Sequence, residues 1–164
     1  MPMRIDRPAG GYQIFLGTGA ASNIAGGTTV VGFALGRIGI WDNAINEALY
    51  QIRIIRPTVM SKLEVVTNLA GGHVRCAEGT LSQILRNLLG NAIKFRSRSR
   101  PLRIVVETRD VDSMVEMVVE DNGIGMDPES AKRVFEPFYR GPTDREVPGH
   151  GLGLAIVERV THAL

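Results

Sequence analysis

Cysteine is all but missing from this 164-residue chain: Cys76 stands alone, which excludes an intramolecular disulfide and any cysteine metal cluster. A lone thiol fits a reducing compartment, so a cytoplasmic setting is expected, and Cys76 itself reads as a small buried hydrophobe. A charge bias is also missing. Nineteen basic residues against seventeen acidic ones leave a net charge of +2, so a pI near 9.0 says little for nucleic acid or an acidic membrane as partner. Residues 8–36 carry no charge, yet eight glycines and scattered Gln, Ser, Thr and Asn break the segment up. No apolar run there approaches the ~20 residues a helix needs to cross a bilayer, so no membrane span is expected. What remains is 44% hydrophobic and 22% charged, the composition of a soluble chain with one core.

The apolar residues sort into elements. "YQIFLG" (Tyr12 to Gly17) and "TTVVGFAL" (Thr28 to Leu35) are rich in β-branched and aromatic residues, and small residues separate them, as in a hairpin with a long loop. A helix follows, with Asp42 or Asn43 as cap and Ala44, Ile45, Ala48, Leu49, Ile52 and Ile55 at helical spacing; Pro57 ends it. Lys62 to Leu69 reads as a strand. From Thr80 to about Phe95 comes the clearest helix, with Thr80 and Gln83 as a capping box and Leu81, Ile84, Leu85, Leu88 and Ala92 as its buried face. "LRIVVETR" and "SMVEMVVED" form an antiparallel hairpin, Asp127 and Pro128 open a short helix through Val134, and "LGLAIVERVTHAL" closes the chain as an amphipathic helix. Helices and mostly antiparallel strands in mixed order predict an α/β (α+β) two-layer sandwich, one mixed sheet covered on one face by helices.

Three places carry chemistry. Asn87, Asn91, Lys94 and Phe95 share one flank of the Thr80 helix, because positions three and four apart are neighbours there. A carboxamide oxygen can ligate a hard cation such as Mg²⁺, and a lysine is a point charge for phosphate; a solvated helix edge is the plainer alternative. In "VEDNGIGMD" (Val119 to Asp127), Asp121 ends a strand where a carboxylate can accept from an exocyclic amine, and Gly123 and Gly125 let backbone approach a flat ring; the alternative is a simple Asp-Asn-Gly turn. "GHGLGL" (Gly149 to Leu154) sets three glycines before a helix start, where N–H groups and the helix dipole suit phosphate, or else a hinge.

In that order, "NLLGNAIKF", "VEDNGIGM", "VFEPFYR" and "GHGLGLAIVERV" resemble the N box, first glycine box, phenylalanine box and second glycine box of sensor histidine kinases. The resemblance, over about Ile38 to Leu164, is to their ATP-binding catalytic domain, of the gyrase, chaperone, histidine kinase and MutL-type ATPase superfamily with its Bergerat-type fold. It implies a transferase of two-component signal transduction with ATP and Mg²⁺ as cofactors. Asp121 would bind the adenine amine, with Gly123, Ile124, Gly125 and Met126 beside it. Asn91 would hold Mg²⁺, and Lys94 and Arg140 would meet phosphates. Phe95 and Tyr139 would line the pocket, Gly149, Gly151 and Gly153 would anchor a lid formed by residues 136 to 150, and His150, Leu152 and Leu154 would join them in binding the nucleotide. Asn87 stands where the superfamily's hydrolases carry a glutamate base, and an amide cannot take a proton from water in that role. Asn87, Asn91 and Lys94 therefore read as the catalytic set of a phosphoryl-transfer domain that works by positioning and charge.

The chain departs from that family twice. None of His73, His150 and His162 lies in a phosphoacceptor motif, so the acceptor histidine is expected on a separate dimerisation domain, with a response regulator downstream. The family's last two strands also do not follow the closing helix; "GGYQIFLG" and "SNIAGGTTVVGFAL" resemble them at the front instead. The expectation is a circular permutant, with residues 1–10 a leader or connector, 11–37 matching the family's C-terminal strands and 38–164 the rest. Thr28 or Thr29 would then sit near the adenine. The alternative is a truncated domain behind an unrelated segment. Three other functions compete: a regulatory ATP-binding module acting by protein contact, an ATP hydrolase, and nucleic-acid binding through "KFRSRSRPLR", which has no aromatic platform beside it.

Overall fold

A computed structural model describes residues 5–6, 11–17, 37–55, 62–70, 79–111, 114–142 and 147–163. The elements are β1 (Ile5–Asp6), β2 (Gly11–Gly17), α1 (Arg37–Ile55), β3 (Leu63–Leu69), α2 (Thr80–Lys94), β4 (Leu102–Val111), β5 (Met114–Asp121), α3 (Pro128–Arg133) and α4 (Gly153–His162). The strands form one sheet in the order β1-β2-β5-β4-β3. Among the described strands only β3 and β4 run parallel, so the sheet is mixed and mostly antiparallel, as expected. The partner of β2 in the N-terminal hairpin, Thr28 to Leu35, lies outside the described residues; β2 instead pairs with β5 from Gly11↔Glu120 to Gly17↔Met114. Within the leader segment, Ile5 and Asp6 pair with Ile14 and Gln13.

Alternation decides which face is inside. Leu102, Ile104 and Val106 on β4 and Val115, Met117 and Val119 on β5 are all buried, and the register sets Val106 against Val119 and Ile104 against Asp121. Asp121 therefore shares the inward face of the sheet, at its last position. The helices cover that face. Leu81, Ile84, Leu85, Leu88, Leu89, Ala92 and Ile93 of α2 pack into one cluster with Ala44, Ile45, Ala48 and Ile52 of α1 and with Leu154 and Val157 of α4. A stripe this wide puts α2 at the centre of the helical layer and fixes how its polar flank is turned.

Two helix starts differ from the sequence reading. α1 begins at Arg37, so Asp42 and Asn43 lie inside the helix, not at its start. α2 begins at Thr80, but its cap is Gly79 with φ 79°, and no side chain caps the helix; Gln83 N–H instead donates to Gly79 O at 2.9 Å. The expected capping box fails because Thr80 is already the first helical residue, one position too late for the role.

The start of α3 is as expected. Asp127 Oδ1 accepts from Ser130 N at 2.9 Å with Pro128 in the first turn, and Val134 is the C-cap. The Ser130 side chain first, then its backbone N–H, hold the Asp127 carboxyl below the usual carboxylate range. A depressed folded pKa contributes stability that is present above the unfolded pKa and lost as pH falls through the folded one. Asp127→Ala is thus expected to melt below the wild type at neutral pH, with the gap closing below a pH of about 4 in circular-dichroism melts.

Candidate functional site

The polar flank of α2 opens on a cavity of about 380 Å³. Asn87, Asn91, Lys94 and Phe95 line it from one side, and Pro148, Gly149, His150, Gly151, Leu152, Gly153 and Leu154 from the other, with Met126 and Tyr139 between them. The volume is in the range of small-molecule sites. Hydrophobic packing creates the arrangement: Leu88 and Leu85 turn one face of α2 into the core, which leaves Asn87, Asn91 and Lys94 facing the start of α4.

The polar groups of α2 face the glycine run across the cavity. Asn87 Nδ2 is buried and has no hydrogen-bond partner among the described residues, which a native fold does not leave so without a cost of about 1–3 kcal/mol. Its Oδ1 lies close to Gly153, where a Cβ would sit 3.8 Å away, so the amide faces the N-terminus of α4. Lys94 Nζ lies 4.6 Å from the centroid of the Phe95 ring, and a Cβ on Gly149 would come within 2.6 Å of it. The ammonium is thereby held between α2 and the lid.

Gly151 is fixed by crowding. Its φ is 69°, and an added Cβ would meet Tyr139 O at 2.6 Å and the Phe138 carbonyl carbon at 2.7 Å. Phe138, at φ 65°, donates its N–H to Gly151 O at 2.9 Å. The phenylalanine-box turn and the second glycine box therefore lie backbone to backbone, which only glycine at 151 permits. Tyr139 reaches into the cavity and donates its hydroxyl to Ser130 Oγ at 3.2 Å, with Arg133 stacked 4.4 Å from its ring centroid.

The acidic turn adjoins this cavity through Phe95, whose carbonyl accepts from Ile124 N at 3.0 Å. Asp121, Gly123, Ile124 and Gly125 are not among the described residues that line the cavity, and Ile124 is 53% exposed. Arg140 does not line it either, and donates through Nη2 to Val147 O at 2.7 Å across the lid. Thr28 and Thr29 lie outside the described residues. The structure adds Ile52, Arg86, Gly90, Ile93, Val134 and Pro148 to the lining. Gly90 was accessible from helical spacing, since it lies three positions after Asn87 and four before Lys94.

Residues 76–164 match the histidine kinase-, DNA gyrase B-, and HSP90-like ATPase family over more than half of the chain. The chain belongs to that family. Within these ATPases it is similar to sensor histidine kinases, and it carries an ATP-binding catalytic domain of their type. The signal transduction histidine-protein kinase/phosphatase MprB of Mycobacterium ulcerans is 37% identical over 117 residues, which is 71% of this chain and 22% of that protein. The sensor histidine kinase YvrG of Bacillus subtilis is 36% identical over 52% of this chain and 14% of that protein. The chain thus spans about a fifth or less of these relatives. A mycobacterial MprB sensor histidine kinase structure is 31% identical, with a TM-score of 0.60 and 73% of each chain covered. Full-length ShkA, solved with AMPPNP, is 29% identical, with a TM-score of 0.59 over 82% of this chain and 27% of that one.

The cavity fits a nucleotide and a cation that arrives with it. No group of three or more His, Cys, Asp or Glu side chains that could hold a metal occurs among the described residues. A divalent ion here would rest on carboxamide oxygen, water and phosphate, which is the coordination Mg²⁺ favours over an all-protein cage. No described helix is long and apolar enough to cross a membrane.

Proposed function

We propose that the chain binds ATP with Mg²⁺ and donates the γ-phosphoryl group to a histidine on a separate acceptor domain, within a cytoplasmic two-component system that includes a response regulator. The observation that carries this reading is the meeting of Asn87, Asn91 and Lys94 with Gly149 to Leu154 around one cavity, from elements more than fifty residues apart in sequence. Asn91 presents a carboxamide oxygen for the cation, Lys94 an ammonium for the phosphates, and the first turn of α4 its backbone N–H groups. Mg²⁺, when bound, would neutralise phosphate charge that the side chains do not reach. Asn87 can donate and accept hydrogen bonds to a ligand but cannot take a proton from a water, so the site positions ATP without activating a hydrolytic nucleophile.

The same reading takes residues 11–37 as the family's C-terminal strands, permuted to the front. Its support is the place of β2, antiparallel to β5 along seven residues and packed near α4, where the strand following the last helix would lie.

Titrating a fluorescent ATP analogue with and without Mg²⁺ tests the function. The wild type is expected to bind more tightly with Mg²⁺, and Asn91→Ala to lose that gain, roughly tenfold or more. A wild type that binds no nucleotide overturns the reading. Steady release of ADP with no acceptor present would favour the hydrolase instead.

A further inference from the structure

The turn at Asp121 to Ile124 is held from outside by a residue of the loop between α2 and β4. Arg100 Nε donates to Asn122 O and its Nη2 to Gly123 O, each at 2.8 Å. These two carbonyls belong to consecutive peptide units, and a peptide unit is rigid, so fixing its oxygen and its N–H fixes its plane. The N–H of the first unit, on Gly123, donates to Asp121 Oδ1 at 2.8 Å. The N–H of the second, on Ile124, donates to Phe95 O at 3.0 Å. Both planes are therefore held at two ends, and Arg100 is the outer end in each case.

The Asn122 side chain completes the stitching. Its Oδ1 accepts from Arg103 N at 2.9 Å and its Nδ2 donates to Pro101 O at 3.0 Å, while Asn122 N donates to Arg103 O at 3.2 Å. The turn is thus sewn to residues 100–103 on one side and to Phe95 on the other. There is no slack at Gly123, where a Cβ would come within 2.6 Å of Phe95 O and 2.7 Å of Asp121 Oδ1.

We propose that Arg100 is a positioning residue for base recognition: its guanidinium orients the Asn122–Gly123 peptide, which orients the Asp121 carboxylate toward the exocyclic amine of adenine. The inference rests on the nucleotide reading above and deepens it by assigning base selectivity to a residue outside the pocket. A guanidinium suits the task because its planar fork reaches two acceptors at once, which a lysine ammonium on a flexible stem does not do with the same geometry. Arg100 is itself exposed, so its removal opens no cavity.

The test is a comparison of adenosine and inosine triphosphates, both labelled at the ribose, binding to wild type, Arg100→Ala, Arg100→Lys and Arg98→Ala. Inosine carries a carbonyl where adenine carries the amine, so it loses the amine-to-carboxylate hydrogen bond and sets an acceptor against Asp121. Arg100→Ala is expected to weaken adenosine triphosphate roughly tenfold while inosine triphosphate stays within a factor of about two, with Arg100→Lys intermediate. Arg98→Ala removes the same charge from a neighbouring exposed position and should leave both affinities as they were. Equal losses for the two nucleotides in Arg100→Ala, or the same loss in Arg98→Ala, overturn the proposal and leave Arg100 a brace or a diffuse charge. A wild type that binds adenosine and inosine triphosphates equally well also overturns it, without touching the nucleotide reading. A wild type that binds neither removes both together.

Discussion

Asp121→Asn is expected to weaken ATP binding by roughly tenfold to a hundredfold while leaving the fold intact. Asp121 ends β5 on the inward face of the sheet, and its Oδ1 accepts from Gly123 N at 2.8 Å. An asparagine can keep that bond through its own oxygen. Doing so turns its NH₂ toward the base, where a carboxylate oxygen had faced an amine, so donor meets donor and one buried hydrogen bond is lost. The substitution therefore separates binding from folding better than alanine would, which would also release the turn. Isothermal titration with ATP and a parallel thermal melt check both halves. Unchanged affinity would mean that the base is read elsewhere.

Removing residues 1–17 is expected to abolish cooperative melting. β2 occupies the seven positions along β5 from Glu120 to Met114, and its loss would turn a central strand into an edge directly over the buried Val115, Met117 and Val119. Several kcal/mol of ladder hydrogen bonds and burial would go, a large share of the roughly 5–15 kcal/mol that holds a domain together. Circular dichroism and size-exclusion chromatography of the truncated chain give the answer. A truncated chain that melts cooperatively within a few degrees of the parent and still binds ATP would refute the permuted reading, because the strand would then be dispensable.

The helical layer was legible where one signal acted alone. The α2 stripe predicted Leu81, Ile84, Leu85, Leu88 and Ala92 as buried, and all five are, together with Leu89 and Ile93 on the widened face. Asp127 and Pro128 marked the start of α3 because cap and first-turn proline act locally. The start of α2 was misread because two local rules competed there: Thr80 and Gln83 have the spacing of a capping box, but Gly79 can take the left-handed conformation and ends the turn first. The start of α1 was misread because Asp42 and Asn43 look like caps in isolation, whereas the helix runs on from Arg37.

The cavity was legible as a set of boxes but not as a shape. Asn87, Asn91, Lys94 and the Gly149 to Leu154 run were named from sequence and do face one another. Arg86, Val134 and Pro148 were not, since their place depends on how α2 and the lid are turned, and periodicity does not carry that information. The tie from Arg100 to Asn122 and Gly123 was equally hidden, because it joins residues 22 and 23 positions apart through their backbone oxygens, to which side-chain identity gives no clue.

The backbone contact between Phe138 and Gly151 has a mechanical consequence. Phe138 is 71% exposed, a large apolar ring on the outer surface, while Gly151 lines the cavity. One hydrogen bond and one gap too narrow for a Cβ join them, so a side chain at 151 would displace the backbone that carries the exposed ring. The cavity wall and the outer surface are one piece of backbone at this point, so a substitution made in the first is also made in the second.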